Sequence, residues 1–329
     1  MARVAITGAS GLLGGNLAAE LLTAGHEVTA IRRAGTKVKH LEDLAIDWRE
    51  AQLGDVAAMT KAFDGSAAVF HCAAAVGVMK KVTPEMTAAN VTGTANVIEA
   101  VAAAKVARMI HTSSVVTVGI SPSGAPVDET ATWNFEAEGF LDGYSITKRE
   151  AEDLVTQARD RIDAVIVNPG YMFGPRDARP SSGKLILDTV RGRVPGTTPG
   201  YNNFVDVRDV ARGMIAAWQK GRRNERYLLV GHDMTYADLF ATIAKVARVK
   251  PPTIAIPKAV AWVIGKFGDL SELAGVDPLV NSTQIRYAFT DKFRFKSDKA
   301  AKELGYTFGP IETAITDALA WFRAHQMLA

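Results

Sequence analysis

Tyr144 and Lys148 stand one helical turn apart and are the residues of this chain best suited to moving a proton. Tyrosine is a poor acid at neutral pH, with a reference pKa of about 10. A nearby ammonium favours the phenolate electrostatically and brings the tyrosine towards a useful range. The four-residue spacing puts both side chains on one helical face. Upstream, Ser113 and Ser114 follow the apolar run Met109-Ile110-His111-Thr112. A serine at a strand end can hydrogen-bond a carbonyl oxygen and align it with an acid. The plainer reading of such serines is a turn or a helix cap.

A proton donor of this kind does redox work only beside a hydride carrier. Thr7-Gly8-Ala9-Ser10-Gly11-Leu12-Leu13-Gly14 supplies a place for one, between an apolar run and an amphipathic stretch. One glycine permits positive φ, another lets the main chain approach a pyrophosphate, and a third lets helix and strand pack closely. The helix N-terminus then offers free N–H groups and partial positive charge to phosphates. The spacing is GxxGxxG, where the commonest dinucleotide fingerprint is GxGxxG. The run Val28-Thr29-Ala30-Ile31 leads into Arg32-Arg33, with Lys37 close behind and no Asp or Glu. A carboxylate there would bind a ribose 2′-OH, whereas a guanidinium holds a 2′-phosphate. The expected cofactor is NADP(H) rather than NAD. Asp55 opens a helical stretch, as an N-cap or at an adenine.

The elements that must position these groups alternate in type. Strand-like runs are expected at Arg3–Thr7, Glu27–Ile31, Ala67–His71, Arg108–Thr112 and Ala164–Asn168. Helical patterns between them cover Leu12–Thr23, Val56–Phe63, Pro84–Ala104 and Tyr144–Ala158. β-branched runs without polar alternation suit strands buried on both faces. The implied fold is α/β, a Rossmann-type doubly wound parallel sheet with a smaller C-terminal α/β substrate-binding lobe. Residues 1–170 form the expected dinucleotide-binding domain and 171–329 the lobe, with 204–230 returning to the first domain.

Composition excludes several other classes. The chain has 329 residues, 48% of them hydrophobic, and a formal charge of +3. It has no basic tract of the nucleic-acid type, so no nucleic-acid partner is expected. Cys72 is the lone cysteine, which rules out an internal disulfide and fits a cytoplasmic protein. The start reads as a strand with no signal peptide, and no apolar run reaches spanning length, so no membrane partner is expected. His71 and His111 lack companions at ligand spacing and read as packing or hydrogen-bonding residues, with no metal expected. Trp262, Phe267 and Trp321 fall in apolar helical patterns and read as core. Arg176 and Arg179 read as solvated loop charges.

Taken as a set, the motifs resemble those of an extended short-chain dehydrogenase/reductase of the NAD-dependent epimerase/dehydratase superfamily. They are TGASGLLG (Thr7–Gly14), LGDV (Leu53–Val56), FHCAA (Phe70–Ala74), NVTGT (Asn90–Thr94), TSSVVTVG (Thr112–Gly119), YSITK (Tyr144–Lys148), NPGYMFGP (Asn168–Pro175) and FVDVRDVA (Phe204–Ala211). The dihydroflavonol-4-reductase-like branch is the most similar, with Arg32 and Lys37 where that branch holds its 2′-phosphate. The resemblance implies Ser114, Tyr144 and Lys148 as catalytic. It implies Thr7, Gly8, Ser10, Gly11, Leu12, Gly14, Asp55, Val56, Ala73, Ala74, Lys148, Pro169 and Gly170 along the cofactor. Tyr171, Met172 and Phe173, beside the nicotinamide end, are the candidate substrate contacts together with Ser114. Plant flavonoid reductases carry an Asn where this chain has Gly119, which counts against a dihydroflavonol. Val115, Val116 and Val118 count against a sugar-nucleotide dehydratase and, less strongly, an epimerase.

The activity expected is NADPH-dependent reduction of a ketone or aldehyde by a monomer or homodimer. The rivals are a nucleotide-sugar epimerase with tightly bound NAD and a non-catalytic NADP(H)-binding regulatory protein.

Overall fold

A computed structural model describes residues 1–273 and 280–328; residues 274–279 and 329 of the expected C-terminal lobe lie outside the described residues. Its strands in chain order are β1 (Arg3–Thr7), β2 (Glu27–Arg32), β3 (Ile46–Glu50), β4 (Ala68–His71), β5 (Arg108–Thr112), β6 (Ala164–Pro169), β7 (Tyr171–Phe173), β8 (Tyr201–Asp206), β9 (Arg226–Leu229) and β10 (His232–Thr235). Seven of them form one sheet in the order β3-β2-β1-β4-β5-β6-β9. Every pairing in that sheet is parallel. The Rossmann-type α/β fold expected from the alternating pattern is therefore borne out.

The sheet is apolar on both faces because helices cover both. Leu13, Leu17 and Leu21 of helix Leu12–Thr23 pack with Val210, Met214 and Ala217 of helix Val207–Lys220 on one face. Met59, Phe63, Val97, Val101 and Val155 fill the other. Each such side chain contributes about 1.5–3 kcal/mol when removed from water. Chain order reverses between β1 and β4, and the crevice at their carboxyl ends is where open α/β sheets hold ligands.

Strand β3, in Ile46-Asp47-Trp48-Arg49-Glu50, has no counterpart among the expected runs. It is an edge strand whose outward charges break the apolar signal. The expected helix 84–104 is present over 84–103, with a π-helical stretch at Thr87–Thr92. The segment after Phe204 divides between two layers. Strand β8 joins β7 and β10 in a second sheet, while helix Val207–Lys220 and β9 lie on the first. Among the described residues no helix is long and apolar enough to cross a membrane.

Candidate active site

The carboxyl ends of β1, β4, β5 and β6 bring most of the candidate residues to one crevice. After β1 the chain turns at Gly8 with φ +77°. A Cβ on Gly8 would sit 2.6 Å from the Ala73 backbone nitrogen, so the chain leaving β4 crosses against the turn. A Cβ on Gly14 would meet the Gly8 carbonyl oxygen at 2.4 Å, which sets the helix directly on the turn. Gly11 is the N-cap and no side chain caps this helix, so its first N–H groups carry no side-chain partner. Thr7, expected along the cofactor, turns its hydroxyl inward. Its hydroxyl is buried and lies 2.7 Å from His71 Nδ1, and it also accepts from the Ala73 N–H.

Hydrogen bonding fixes the state of His71. Thr94 donates its hydroxyl proton to the Asn90 carbonyl, so it accepts from His71 Nε2 at 3.0 Å, leaving Nδ1 to accept from Thr7. Burial, reinforced by the Lys148 charge, pushes the His71 pKa down to about 3. His111 packs beside it with ring centroids 5.5 Å apart, and burial likewise holds it neutral. Both therefore act as buried packing residues, as their positions suggested.

At the end of β2, Arg32 lies 3.6 Å from Glu50 of β3 and over the Trp48 ring. Arg33 and Lys37 are exposed. Asp55 caps helix Val56–Phe63, accepting from the Ala58 N–H at 2.9 Å. Arg176 is no solvated loop charge. With φ +66° it turns back to bond Asp43 with both guanidinium nitrogens and the His40 carbonyl with one.

Tyr144 and Lys148 project from helix Gly143–Gln157, whose N-terminus is a capping box between Asp142 and Ser145. Tyr144 is half-buried, and its phenol faces the Ser114 side chain. Burial pushes its pKa up to about 12, with Ser114 opposing and Asp142 adding to the rise. The expected lowering by Lys148 is not what dominates. Lys148 Nζ donates instead to the Thr112 carbonyl at 2.6 Å. Burial lowers the Lys148 pKa to about 8, against the upward pull of Glu152 and then Cys72. The result is a protonated phenol facing a serine side chain, with an ammonium one turn further along the helix.

Glu152, which no motif contains, holds this arrangement together. Glu152 is buried one turn beyond Lys148. Its Oε2 accepts from Ser113 at 2.6 Å and Asn168 at 2.9 Å, and the Thr117 hydroxyl lies 2.6 Å away. Asn168 also donates to the Ser114 carbonyl, and Arg226 reaches Glu152 Oε1 at 3.4 Å. Ser113 is thus committed to Glu152, which leaves Ser114 as the serine that faces Tyr144. The continuation of the Tyr/Lys spacing, Tyr144, Lys148, Glu152, was the available signal. Asn90, in the π-helical stretch, bonds both backbone groups of Ala75 and the Thr147 hydroxyl. It ties the loop after β4 to the Tyr144 helix.

The expected substrate contacts are only partly placed at a surface. Phe173 is fully buried and stacks on Phe204, so it belongs to the core of the smaller sheet. Met172 packs against the main core, and Tyr171 lies edge-on to Phe204. Gly170 abuts Asn203, whose Oδ1 would lie 2.6 Å from a Cβ there. Gly119 shows why no side chain stands at its position: a Cβ would be 2.0 Å from the Thr132 carbonyl oxygen. Trp262 and Phe267 are exposed rather than core, whereas Trp321 packs on the cluster around Phe322.

A glycine turn at the switch point of a parallel sheet, beside a Ser/Tyr/Lys cluster, defines a Rossmann-type protein of the extended short-chain dehydrogenase/reductase class. The profile of the NAD dependent epimerase/dehydratase family matches residues 4–230, and the chain belongs to that family. It is 31% identical over 330 residues to a putative dihydroflavonol 4-reductase of Synechocystis sp., covering 97% of this chain and 94% of the relative. It is 34% identical over 328 residues to sterol demethylase protein B of Methylococcus capsulatus, covering 98% and 99%. The crystal structure of gox2253 superposes with a TM-score of 0.86 and 32% identity over the whole of both chains. The family is described as one of NAD-dependent epimerases and dehydratases.

Proposed function

We propose that this protein is an NADP(H)-dependent reductase of ketone or aldehyde carbonyls, with Ser114, Tyr144 and Lys148 as its catalytic residues. The observation that carries this reading is the convergence of Ser114, just past β5, with Tyr144 and Lys148 of one helix, where Lys148 Nζ bonds the Thr112 carbonyl and the Tyr144 phenol faces Ser114 and is held protonated by burial. A protonated phenol suits delivery of a proton to an alkoxide, the reductive direction. The nicotinamide, when bound, supplies the hydride. Ser114 holds the substrate oxygen, Tyr144 donates the proton to it, and both act where charge develops in the transition state. Lys148 keeps a positive charge behind Tyr144 and binds the ribose. Glu152 and Asn168 position the Ser114 backbone, and Glu152 supports the charge on Lys148.

The residues fit the cofactor. The Gly8/Gly14 turn brings the chain after β4 and the start of the first helix close together, and that helix has N–H groups with no side-chain cap to offer a pyrophosphate. Arg32, Arg33 and Lys37 support NADP, with Glu50 as a second partner of Arg32 that a 2′-phosphate would displace. The proposal retains residues 1–170, with 204–230, as the cofactor domain and 171–329 as the substrate lobe. The single cysteine supports a cytoplasmic setting.

Loss of reduced-nicotinamide absorbance tests this reading, with NADPH or NADH and a panel of ketones and aldehydes. Faster oxidation of NADPH with at least one carbonyl is expected. A protein that purifies with tightly held NAD and interconverts nucleotide sugars without net cofactor consumption would be an epimerase instead.

A further inference from the structure

Helix Lys258–Leu273 is built inside out. Its inward face carries Ala261, Gly265, Gly268 and Asp269, all buried. Close approach demands small residues there: a Cβ on Gly265 would lie 2.9 Å from Ser282 Cα, and one on Gly268 would lie 1.9 Å from the Val280 carbonyl oxygen. The large apolar residues point the other way. Val260, Val263, Ile264, Phe267 and Leu270 recur at helical spacing along the outer face, with Trp262 at its edge, and all six are 49–67% exposed. A helix of a globular protein normally turns this stripe to the core.

The anomaly is concentrated in this helix. Among the described residues the large exposed hydrophobics other than Met1 and Phe308 are Ile254, these six, and Val76 and Val82. Val76 and Val82 sit on the loop that Lys80 ties to Asp269 and that Asn281 bonds at the Val78 carbonyl. The same loop accepts from the Gly143 N–H, at the start of the Tyr144 helix, through Met79. The buried side of helix Lys258–Leu273 is thus joined through this loop to the start of the Tyr144 helix. An exposed apolar stripe along a whole helix marks a docking surface.

Charge says what docks. The segments 76–83 and 250–273 hold five lysines, Lys80, Lys81, Lys250, Lys258 and Lys266, and two carboxylates, Asp269 and Glu272. Asp269 is buried and engaged by Lys80, Lys266 and Ser282. Lys266 lies over the Trp262 ring, 5.1 Å from its centroid. A two-fold contact between copies would set these lysines against their own kind, and lysine is depleted at protein interfaces. Trp, Phe and Leu on one face within a lysine collar suit the headgroup boundary of an anionic bilayer.

We propose that helix Lys258–Leu273, with loop 76–82, docks this protein on an anionic phospholipid surface and sets the candidate active site beside the acyl chains. This replaces the expectation of no membrane partner, which rested on spanning length; a helix too short to span can still lie in the interface. The inference stands apart from the reaction assigned above.

Co-sedimentation of the full chain with vesicles of phosphatidylcholine alone, and of phosphatidylcholine mixed with phosphatidylglycerol, tests it. The protein is expected to pellet with the mixed vesicles at least tenfold more than with the neutral ones, and to be released by added salt. The double variant Phe267→Glu, Leu270→Glu is expected to lose that pelleting while keeping its circular dichroism spectrum, since both residues are exposed. No pelleting with either vesicle overturns the proposal. So does a dimer in gel filtration that the double variant dissolves without any vesicle binding by the parent, because the face is then an interface between copies.

Discussion

Around Glu152 five polar groups converge on one carboxylate, whereas the outer face of helix Lys258–Leu273 presents six large apolar side chains to solvent. The first region is positioned by directed bonds: Ser113, Thr117, Asn168 and Arg226 each contact Glu152, and Lys148 feels its charge. The second is positioned by fit, through glycines that let its backbone approach 280–285. The difference teaches where change is tolerated. A buried acceptor with several donors cannot be removed without stranding them. An exposed apolar face can be recharged with little effect on the fold.

Glu152→Ala should show the largest effect. It leaves a buried cluster of donors and Arg226 without an acceptor, so chemical denaturation should register a loss of about 3 kcal/mol. Glu152→Gln, which keeps one acceptor oxygen, should lose less. Equal stability of all three proteins would remove the contrast between the regions. Next is cofactor choice: Arg32→Ser should raise the Kd for NADPH about tenfold, equivalent to about 1.4 kcal/mol, and leave that for NADH nearly unchanged. Titration of protein fluorescence with each cofactor measures it.

The pH profile refines the first region further. Lys148 is protonated below about 8 and neutral above it, so kcat/KM should fall as pH rises through that value. Tyr144, at about 12, stays protonated across the same range. Glu152 holds the Lys148 pKa up, so Glu152→Gln should move the alkaline fall to lower pH. An unmoved profile would mean that Glu152 acts on packing alone. The smallest effect belongs to the second region. Val263→Ser should change stability by no more than about 0.5 kcal/mol in the absence of lipid.

The same contrast decided what could be read from the sequence. Gly8, Ser114, Tyr144 and Lys148 sit at strand ends or helix faces whose chemistry requires those residue types, and the structure brings them to one crevice. A glutamate on a helix reads as solvated, so Glu152 is hard to see in the sequence, although its spacing from Lys148 places it on the same face. Trp262 and Phe267 were read as core because helical periodicity reports a stripe and is silent on which way it turns. Only the close approach of Gly265 and Gly268 to the 280–285 segment fixes that direction. Phe173 looked like pocket lining from its place after Pro169-Gly170, yet pairing of β7 with β8 carries it into an aromatic core.

Single-turnover reduction by Tyr144→Phe, alongside its NADPH affinity, tests the central claim most directly, because the substitution removes the proton donor and little else. The account predicts that the chemical step slows by about a hundredfold to ten-thousandfold while NADPH binding stays within about twofold. Turnover close to that of the parent protein would contradict Tyr144 as the acid, and with it the proposed reaction.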